Sequence, residues 1–298
     1  MQNSGDLSEV PARPITADLA VIILTRNEEK NLAQALRSVV GWAREVVVLD
    51  SLSTDRTEEV ARSFPDVGFF QNRFVSYPAQ RNHALERLPL ASEWIMFLDA
   101  DEWVTAELRH ELALRLRPQT AENGFYVKRR LVWMGRWIRR GRYPLYILRV
   151  FRRGRGRCED RPINEHLLVD GPIGVLDHDI VDENHNGVME WMIKHQRYAD
   201  LEARELLRQT TEAGNLRINL WGSQAERTRW LRQRVWNRLP PLLRPFLYFL
   251  YRYFLRGGFL DGRAALVYHF LQAWWYPLII DVRYLELKAA HQRGEDKA

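Results

Sequence analysis

Acidic side chains directly follow apolar segments in the amino-terminal half of this 298-residue chain. Asp99 and Asp101 stand close together after the apolar residues 94–98, and Asp50 ends another apolar run. Carboxylate oxygens are the ligands that Mg²⁺ and Mn²⁺ prefer, and a divalent cation lets a diphosphate bind among acids. The pattern therefore predicts a metal–diphosphate site, with Asp99 and Asp101 as metal ligands and Mg²⁺ or Mn²⁺ as the cofactor.

Strands and helices alternate around these acids. Wholly apolar runs, typical of strands buried on both faces, occupy residues 19–24, 46–49, 67–70 and 94–98. Helical patterns follow at residues 28–39, 58–64, 80–88 and from the turn after Asp101 to about residue 116. This order predicts an α/β fold with a mainly parallel sheet and helices on both faces. Such sheets bind ligands beyond the carboxyl ends of their strands, where the acids lie.

Glycine-rich phosphate loops are missing from this pattern. The sequence has no GxGxxG after its first strand and no GxxxxGK[ST], which excludes a dinucleotide fingerprint and a P-loop. One of the acids has a second interpretation, because Asp55 with Glu58 also fits a helix capping box that needs no ligand.

Basic residues concentrate in two stretches of a chain whose net charge is +6. Residues 123–158 contain arginines interleaved with tryptophan and tyrosine and no acid, and residues 226–263 are similar but for two acids. The excess predicts an anionic partner: phosphorylated small molecules, an anionic membrane surface or nucleic acid; the alternative is a solvated charged face. Because the first stretch accompanies the paired acids, we favour diphosphate and sugar binding, with acceptor or phosphate contacts at Trp137, Arg139, Arg142 and His166.

The cysteine content favours a reducing, cytosolic setting. Cys158 is the single cysteine, so no intrachain disulfide is possible, and no Cys/His cluster has zinc spacing. Residues 1–17 are polar and predict a flexible segment without a signal peptide. We expect a catalytic domain over residues 18–185 and a helix over 186–220 that packs on it.

Residues 221–298 combine aromatic and aliphatic side chains with arginine. Arg244, Arg252 and Arg256 interrupt the apolar runs, and the longest, residues 264–280, is marginal for a membrane span. The composition predicts amphipathic helices that lie in a membrane interface, with Arg244 and Arg252 reaching lipid phosphates. A helical bundle or a dimer interface is the alternative.

Several ordered segments resemble the motifs of family 2 glycosyltransferases with a GT-A fold. They are VIILTRNEEKNL, VVVLDSLSTDRT, AQRNHAL and WIMFLDADEWV, followed by GRWIRRGRYPLYILRVFRR, INEHLLVDGPIG and WMIKHQRYADLEA. The sequence is most similar to the branch with bacterial lipopolysaccharide-core and exopolysaccharide glucosyltransferases. The resemblance covers about residues 19–207 and implies a Rossmann-like GT-A sheet with a nucleotide-sugar donor.

The resemblance also implies roles for single residues. Thr25, Asn27 and Glu28 would line the nucleoside pocket, and Asp50 would contact the base. The remaining donor residues would be Asp55, Arg81 near the diphosphate, and Asp99 at the ribose and metal, with Asp101 as the second metal ligand. Arg81 has the alternative of a structural ion pair with a neighbouring Asp.

A glycosyl transfer needs a carboxylate that takes the proton of the acceptor hydroxyl. Glu165 is our candidate for this general base, and Asp160 is the second candidate. Many family members carry a histidine before the matching glutamate, whereas this chain has Asn164 there and His166 after it. The alternative for Glu165 is an ion pair with an arginine of the preceding loop.

Together with the family resemblance, which alone implies inversion, these features predict an inverting, metal-dependent glycosyltransferase that moves a sugar from a UDP-sugar to a lipid-linked saccharide. We expect it to bind peripherally to the cytoplasmic face of a bacterial inner membrane. A nucleic-acid-binding protein is the first alternative, but the acids at the strand ends would repel nucleic acid. A catalytically silent membrane scaffold of the same fold is the second.

Overall fold

The computed structural model describes residues 17–159, 167–211, Trp236 and residues 239–293. Its centre is a nine-stranded mixed sheet in the order β3-β2-β1-β4-β8-β6-β11-β5, with β7 paired to β6 and a separate β9–β10 hairpin. The strands are β1 (Ala17–Thr25), β2 (Ala43–Asp50), β3 (Val67–Gln71), β4 (Trp94–Asp99), β5 (Glu102–Val104), β6 (Gly124–Trp133), β7 (Arg136–Trp137), β8 (Leu145–Arg152), β9 (Gly156–Cys158), β10 (Leu167–Val169) and β11 (Ile173–Asp182).

Helices flank this sheet and follow it in the chain. They are α1 (Leu32–Val39), α2 (Thr57–Arg62), α3 (Tyr77–Arg87), α4 (Ala106–Arg115), α5 (Val188–Thr211), α6 (Leu243–Leu250), α7 (Arg263–His269) and α8 (Tyr276–Gln292). We refer to the described residues from 17 to 182 as the sheet unit and to residues 239–293 as the C-terminal helical unit.

Strands β3, β2, β1 and β4 form the parallel half of the sheet, as their apolar runs predict. Alternate side chains of β1 enter two cores: Val21 and Ile23 pack toward α1 and α4, and Ile22 packs toward α3. All three are fully buried. The α/β fold with helices on both faces of the sheet is confirmed.

The other half of the sheet is mostly antiparallel and comes from the arginine-rich segment and the residues after it. Strand β8 pairs antiparallel with β4 and β6, and β11 runs parallel to β6 and antiparallel to β5. Strands β6 and β8 carry half-buried arginines and the buried Arg149 among their apolar residues, so they lack the apolar runs that identify β1 to β4.

Helix α1 begins at Leu32, four residues later than the pattern from Glu28 predicts. The reason lies in the loop after β2, which takes the backbone donors of the expected first turn. Glu28 N–H donates to Thr57 Oγ1 at 2.8 Å and Glu29 N–H donates to Asp55 Oδ2 at 3.1 Å. The residues before Leu32 therefore join the two loops.

Helix α5 lies between the sheet unit and the C-terminal helical unit. Near its beginning Trp191 packs edge-on against Trp133, with ring centroids 5.4 Å apart. Further along, Ala199 and Ala203 join Ile280 in a buried cluster with α8. The helix thus packs against the sheet unit near its beginning and against α8 further along.

The C-terminal helical unit buries the arginines that its sequence suggested would face lipid. Arg244 is 3% exposed and pairs with Asp281, which is 1% exposed. Arg252 is 1% exposed and lies over the rings of Tyr248 and Tyr268, 5.4 and 5.5 Å from their centroids. The expectation that Arg244 and Arg252 reach lipid phosphates is therefore wrong, because both guanidinium groups point into the unit.

Apolar side chains take the exposed positions instead. They include Leu242, Leu243, Phe246, Leu247, Tyr251, Phe254, Leu255, Phe259, Leu260, Leu266 and Phe270. We call this set the apolar face. Within the described parts of the chain, no helix combines the length and the hydropathy needed to cross a bilayer.

Candidate active site

The carboxyl ends of β1, β2 and β4 meet at one edge of the sheet. Thr25 is in register with Asp50 on β2, and Leu24 is in register with Asp99 on β4. Thr25 Oγ1 donates a 2.9 Å hydrogen bond to Asp50 Oδ1. Parallel pairing thus brings together side chains that are up to 74 residues apart in the chain.

Asp50 is fully buried and organises the loop after β2. Besides Thr25, its carboxylate accepts hydrogen bonds from Ser53 N at 2.8 Å, Ser53 Oγ at 2.5 Å and Gln71 Nε2 at 3.3 Å. These four bonds use the carboxylate's acceptor capacity. A contact between Asp50 and a nucleoside base would have to replace one of them.

The loops after β1 and β2 are joined through Asn27 and Asp55. Asn27 has a positive φ of 58°, which asparagine tolerates better than most residues, and its Oδ1 accepts from Thr54 N at 2.8 Å. Asp55 Oδ1 accepts from Thr57 N at 3.0 Å, while Glu58 pairs with Arg62. The Asp55–Glu58 capping box therefore does not form, and Asp55 holds the two loops together.

Asp99 is held by two arginines. Arg149 Nη2 donates to Asp99 Oδ2 at 2.5 Å, and Arg81 Nη2 lies 3.5 Å from Asp99 Oδ1. Burial alone would raise the pKa of Asp99, but the two guanidinium groups outweigh it and hold the pKa well below its usual range. Asp99 is therefore an anion at neutral pH, and Arg81 makes the ion pair that its sequence position suggested as an alternative.

Glu102 and Asp182 stand behind this edge of the sheet. Arg149 Nη2 also donates to Glu102 Oε1 at 2.8 Å, and Arg129 Nη1 lies 3.4 Å from Asp182 Oδ2. Burial raises the pKa of Glu102 to about 8 and that of Asp182 to about 6. The buried acids and arginines form one network that fixes the orientation of Asp99.

Asp101 lies in the turn after β4 and is half-buried. Its Oδ2 accepts from Asn184 Nδ2 at 2.8 Å, and its backbone carbonyl accepts from Glu183 N at 2.9 Å. In the described ranges no three His, Cys, Asp or Glu side chains are grouped closely enough to hold a metal ion. A cation at Asp99 and Asp101 would therefore complete its ligand set with water or with oxygens of a bound substrate.

Glu28 borders the same cleft. Its Oε2 accepts from Asn31 Nδ2 at 2.6 Å and from Asn186 Nδ2 at 3.3 Å. Burial, with a contribution from the charge of Asp101, raises the pKa of Glu28 to about 6. Sequence reasoning assigned Glu28 to the cleft but did not find Asn186, whose segment after β11 carries no distinctive motif.

The sequence did not predict three more cleft residues: Glu102, Arg149 and Lys194. Lys194 lies on α5, and the charges of Asp101 and Glu28 act on its ammonium group. Their only sequence signal was membership in the segments WIMFLDADEWV, GRWIRRGRYPLYILRVFRR and WMIKHQRYADLEA.

The side chains expected on the acceptor side surround Trp137. The guanidinium carbons of Arg130 and Arg139 lie 4.4 and 4.5 Å from its ring centroid, so a sugar could stack on this ring only after one of them moves. Arg142 lines a cavity of about 20 Å³ with Tyr143 and Tyr268. The remaining expected residues, Asp160, Glu165 and His166, lie outside the described part of the chain.

Many arginines of the basic stretch have carboxylate partners from other parts of the chain. These arginines are Arg129, Arg130, Arg140, Arg149, Arg152 and Arg157. Their charges are neutralised within the fold, so the stretch offers an anionic partner far fewer free cations than its composition suggests.

Comparisons with known proteins agree with this geometry. Residues 20–162 match the model of glycosyl transferase family 2. The chain is 28% identical to the lipopolysaccharide core biosynthesis glycosyltransferase LpsC of Rhizobium meliloti, over 89% of this chain and 92% of that protein. It is 36% identical to the glycosyltransferase SunS of Bacillus subtilis, over 30% of this chain and 22% of that protein.

Among solved structures, the mannosyltransferase PcManGT from Pyrobaculum calidifontis superposes with a TM-score of 0.47 at 16% identity, over 91% of this chain and 87% of that chain. The α/β sheet, the acids at its strand ends and the sequence matches identify the chain as a glycosyltransferase. Its residues 20–162 are those of a family 2 glycosyltransferase.

Proposed function

We propose that the protein transfers a sugar from a UDP-sugar to a lipid-linked saccharide, with inversion at the anomeric carbon and with Mg²⁺ or Mn²⁺ as cofactor. The product would become part of a lipopolysaccharide or another bacterial surface polysaccharide. The observation that carries the proposal is the convergence of Thr25, Asp99 and Asp101 at the carboxyl ends of neighbouring parallel strands. The likeness to LpsC over most of both chains supports the class of acceptor.

The donor atoms at the strand ends suit a hard divalent cation. Asp99 and Asp101 offer carboxylate oxygens, and Asp101 Oδ1 has no hydrogen-bond donor among the described residues. Mg²⁺ is commonly held by one or two carboxylates together with substrate phosphates and water, which fits a pair of acids without a third ligand. When bound, the cation would neutralise charge on the diphosphate of the donor.

The remaining residues of the cleft would position the donor. Arg149 and Arg81 hold Asp99 in place, and Asp50 fixes the loop against which a nucleoside would lie. Glu165 would accept the proton of the acceptor hydroxyl as its oxygen forms the new bond to the anomeric carbon. The bond from that carbon to the diphosphate breaks on the opposite face, so the configuration inverts.

The general base has its own test. Glu165→Gln keeps the shape and removes the basicity, so turnover should fall by about 10²- to 10⁴-fold while UDP binding changes little. Asp160→Asn is the matched variant. A large loss in Asp160→Asn with normal turnover in Glu165→Gln would exchange the two roles.

The apolar face supports a position at the cytoplasmic surface of the bacterial inner membrane. Phe246, Phe254 and Leu255 project from one helical unit together with further leucines and aromatics. Contiguous exposed patches of this kind mark interaction sites, and amphipathic helices bury such a face in the boundary between lipid headgroups and acyl chains. A membrane-bound enzyme would meet a lipid-linked acceptor on the same surface.

Donor screening would test the proposed function. The full chain is incubated with Mn²⁺, a panel of nucleotide sugars and a bacterial membrane lipid extract, and release of nucleoside diphosphate is measured. We expect release that requires a UDP-sugar and the extract together and that stops when EDTA removes the metal. Release with a different nucleotide, without the extract, or undiminished by EDTA would refute the donor, the acceptor or the metal requirement, respectively.

A further inference from the structure

The beginning of helix α5 is tied to the active-site cleft. Asn184 Nδ2 donates to Asp101 Oδ2 at 2.8 Å, His185 N–H donates to Asn31 Oδ1 at 2.8 Å, and Asn186 Nδ2 donates to Glu28 Oε2 at 3.3 Å. These three bonds come from consecutive residues just before the helix. They place the first turns of α5 along the rim of the cleft, beside the start of α1, whose N-cap residue is Asn31.

Lys194 and Tyr198 are four residues apart and therefore share one face of α5. That face is directed to the cleft, because the hydroxyl groups of Tyr198 and Tyr77 on α3 are 2.5 Å apart. Another face of α5 carries the fully buried Ala199 and Ala203, which pack on α8. Lys194 consequently stands over the cleft between α3 and the acids.

The charges of the cleft agree with this placement. Burial lowers the pKa of Lys194, but electrostatic interactions with its neighbours outweigh burial and raise the pKa above its usual range. These neighbours are Tyr198, Tyr77, Asp101 and Glu28. The lysine is therefore fully charged at neutral pH and has three N–H donors to offer.

Lys194 differs from the arginines of the cleft in having no committed partner. Arg149 bonds Asp99 and Glu102, and Arg129 lies against Asp182. Within the described ranges, by contrast, Lys194 makes neither a hydrogen bond nor an ion pair with any side chain. It is a charged donor at the rim of a cleft whose other cations are already engaged.

We propose that Lys194 binds the diphosphate of the nucleotide donor, contacting it from α5 while Asp99 and Asp101 hold it from the sheet through the metal. The role rests on the proposed use of a nucleoside diphosphate sugar. Negative charge accumulates on the leaving diphosphate as its bond to the anomeric carbon breaks, and a fixed ammonium group stabilises that charge. Without a donor, the same ammonium serves as a counter-ion to Asp101 and Glu28.

Nucleotide binding to the full chain isolates this contact from turnover. Uridine, UMP and UDP are titrated by calorimetry, with Mn²⁺ present, into the wild type and the variant Lys194→Met. We expect Lys194→Met to weaken UDP binding about 10- to 100-fold, the usual loss for a hydrogen bond to a charged group, and to leave uridine binding unchanged. Lys194→Arg should restore part of the affinity for UDP.

Two further variants serve as controls. Lys288→Met removes the same charge from α8, where the lysine lies 6.0 Å from the ring centroid of Tyr284, and should change no affinity. Tyr198→Phe breaks the bond to Tyr77 and should leave the ratio of UDP to uridine affinity unchanged, which separates the charge of Lys194 from the anchoring of α5.

Three outcomes would overturn the proposal in distinguishable ways. An equal loss of uridine and UDP affinity in Lys194→Met would make Lys194 a structural residue. An unchanged UDP affinity would remove it from the diphosphate site. If the wild type binds UDP no better than uridine, and GDP no better than guanosine, the nucleoside diphosphate donor itself is wrong, and the role of Lys194 is lost with it.

Discussion

The C-terminal helical unit exposes far more large apolar side chains for its length than the sheet unit does. Strand β1 buries Val21, Ile22 and Ile23 and delivers polar side chains to the cleft. The C-terminal helical unit buries Arg244 and Asp281. The same unit exposes Phe246, Phe254 and Leu255.

This difference bears on the membrane position proposed above. Burial of an ion costs several kcal/mol unless a partner compensates it, so the unit needs Asp281 beside Arg244. Exposed leucine and phenylalanine side chains contribute no free energy of burial in water. In the lipid interface each such side chain that is buried contributes about 1.5–3 kcal/mol. The exposed apolar side chains of the helical unit are the ones that the proposed membrane position would bury.

The largest effect should come from the polar edge of the sheet unit. Asp101→Asn keeps the shape of the side chain and removes its charge, so the proposed cation would lose a charged ligand. We expect turnover to fall by at least about a thousandfold, equivalent to more than about 4 kcal/mol, without a change in melting temperature. Asp66→Asn changes an exposed acid outside the candidate site, and its turnover should be normal. Wild-type turnover in Asp101→Asn would remove this acid from the site.

The buried pair of the helical unit should have the next largest effect. Asp281→Ala leaves Arg244 buried without its counter-ion, and it also removes the acceptor of Leu242 N–H at 2.8 Å. We expect the free energy of unfolding to fall by about 3–5 kcal/mol. Glu58→Ala breaks the exposed pair with Arg62 and should cost less than about 0.5 kcal/mol. Denaturant unfolding in mild detergent would measure both, and equal losses would contradict the contrast between the units.

A matched pair of leucines tests the apolar face. Leu255 of the helical unit is 80% exposed and Leu114 of the sheet unit is 54% exposed. Leu255→Glu should weaken binding to vesicles of phosphatidylcholine and phosphatidylglycerol by about tenfold or more, because the side chain would otherwise enter the acyl boundary. Leu114→Glu should bind like the wild type in the same flotation assay. If both variants bind normally, the apolar face does not contact lipid.

The smallest expected effect is a pH dependence within the cleft. The raised pKa of Glu28, about 6, means that the folded protein binds more protons than the unfolded chain between about pH 4.5 and 6. The free energy of unfolding therefore falls as the pH rises through this window. Relative to the wild type, Glu28→Gln should gain about 1–2 kcal/mol between pH 4 and 7.

The contribution of the neighbouring Glu29 to stability should depend on pH in the opposite direction. Hydrogen bonds from the backbone and side chain of Arg56 lower the pKa of Glu29, so its contribution to stability is lost as the pH falls. Glu29→Gln should thus lose stability relative to the wild type as the pH rises from 4 to 7. Unfolding curves with parallel pH profiles for the two variants would refute both assignments.

The parallel half of the sheet could be predicted because each of its strands is apolar on both faces. The antiparallel half could not, because its arginines are neutralised by acids that are distant in sequence. Arg149 meets Asp99, and Arg129 meets Asp182, only after β8 and β11 have joined the sheet. A sequence shows the charges of these residues but not their partners.

In the site and in the helical unit, too, features that follow from local apolar runs could be predicted and contacts with distant partners could not. Thr25, Asp50 and Asp99 end three of the apolar runs, so their convergence follows from parallel pairing. Lys194 reaches the cleft only because the segment before α5 is bonded to it, which no spacing reveals. Composition predicts an interfacial helical unit but does not say which of its side chains face outward. The predicted outward orientation of Arg244 is wrong for that reason.

The junction between the two units has a consequence for the length of the acceptor. Asp261 accepts from Arg140 N at 2.6 Å and from Arg140 Nη1 at 2.8 Å, and Gly141 N–H donates to Arg256 O at 3.3 Å. Trp133 and Tyr268 pack across the same junction, with ring centroids 5.6 Å apart. If the apolar face rests on a bilayer, these contacts fix the height of the cleft above the lipid. The enzyme would then glycosylate only acceptor sugars that stand at that height above the lipid.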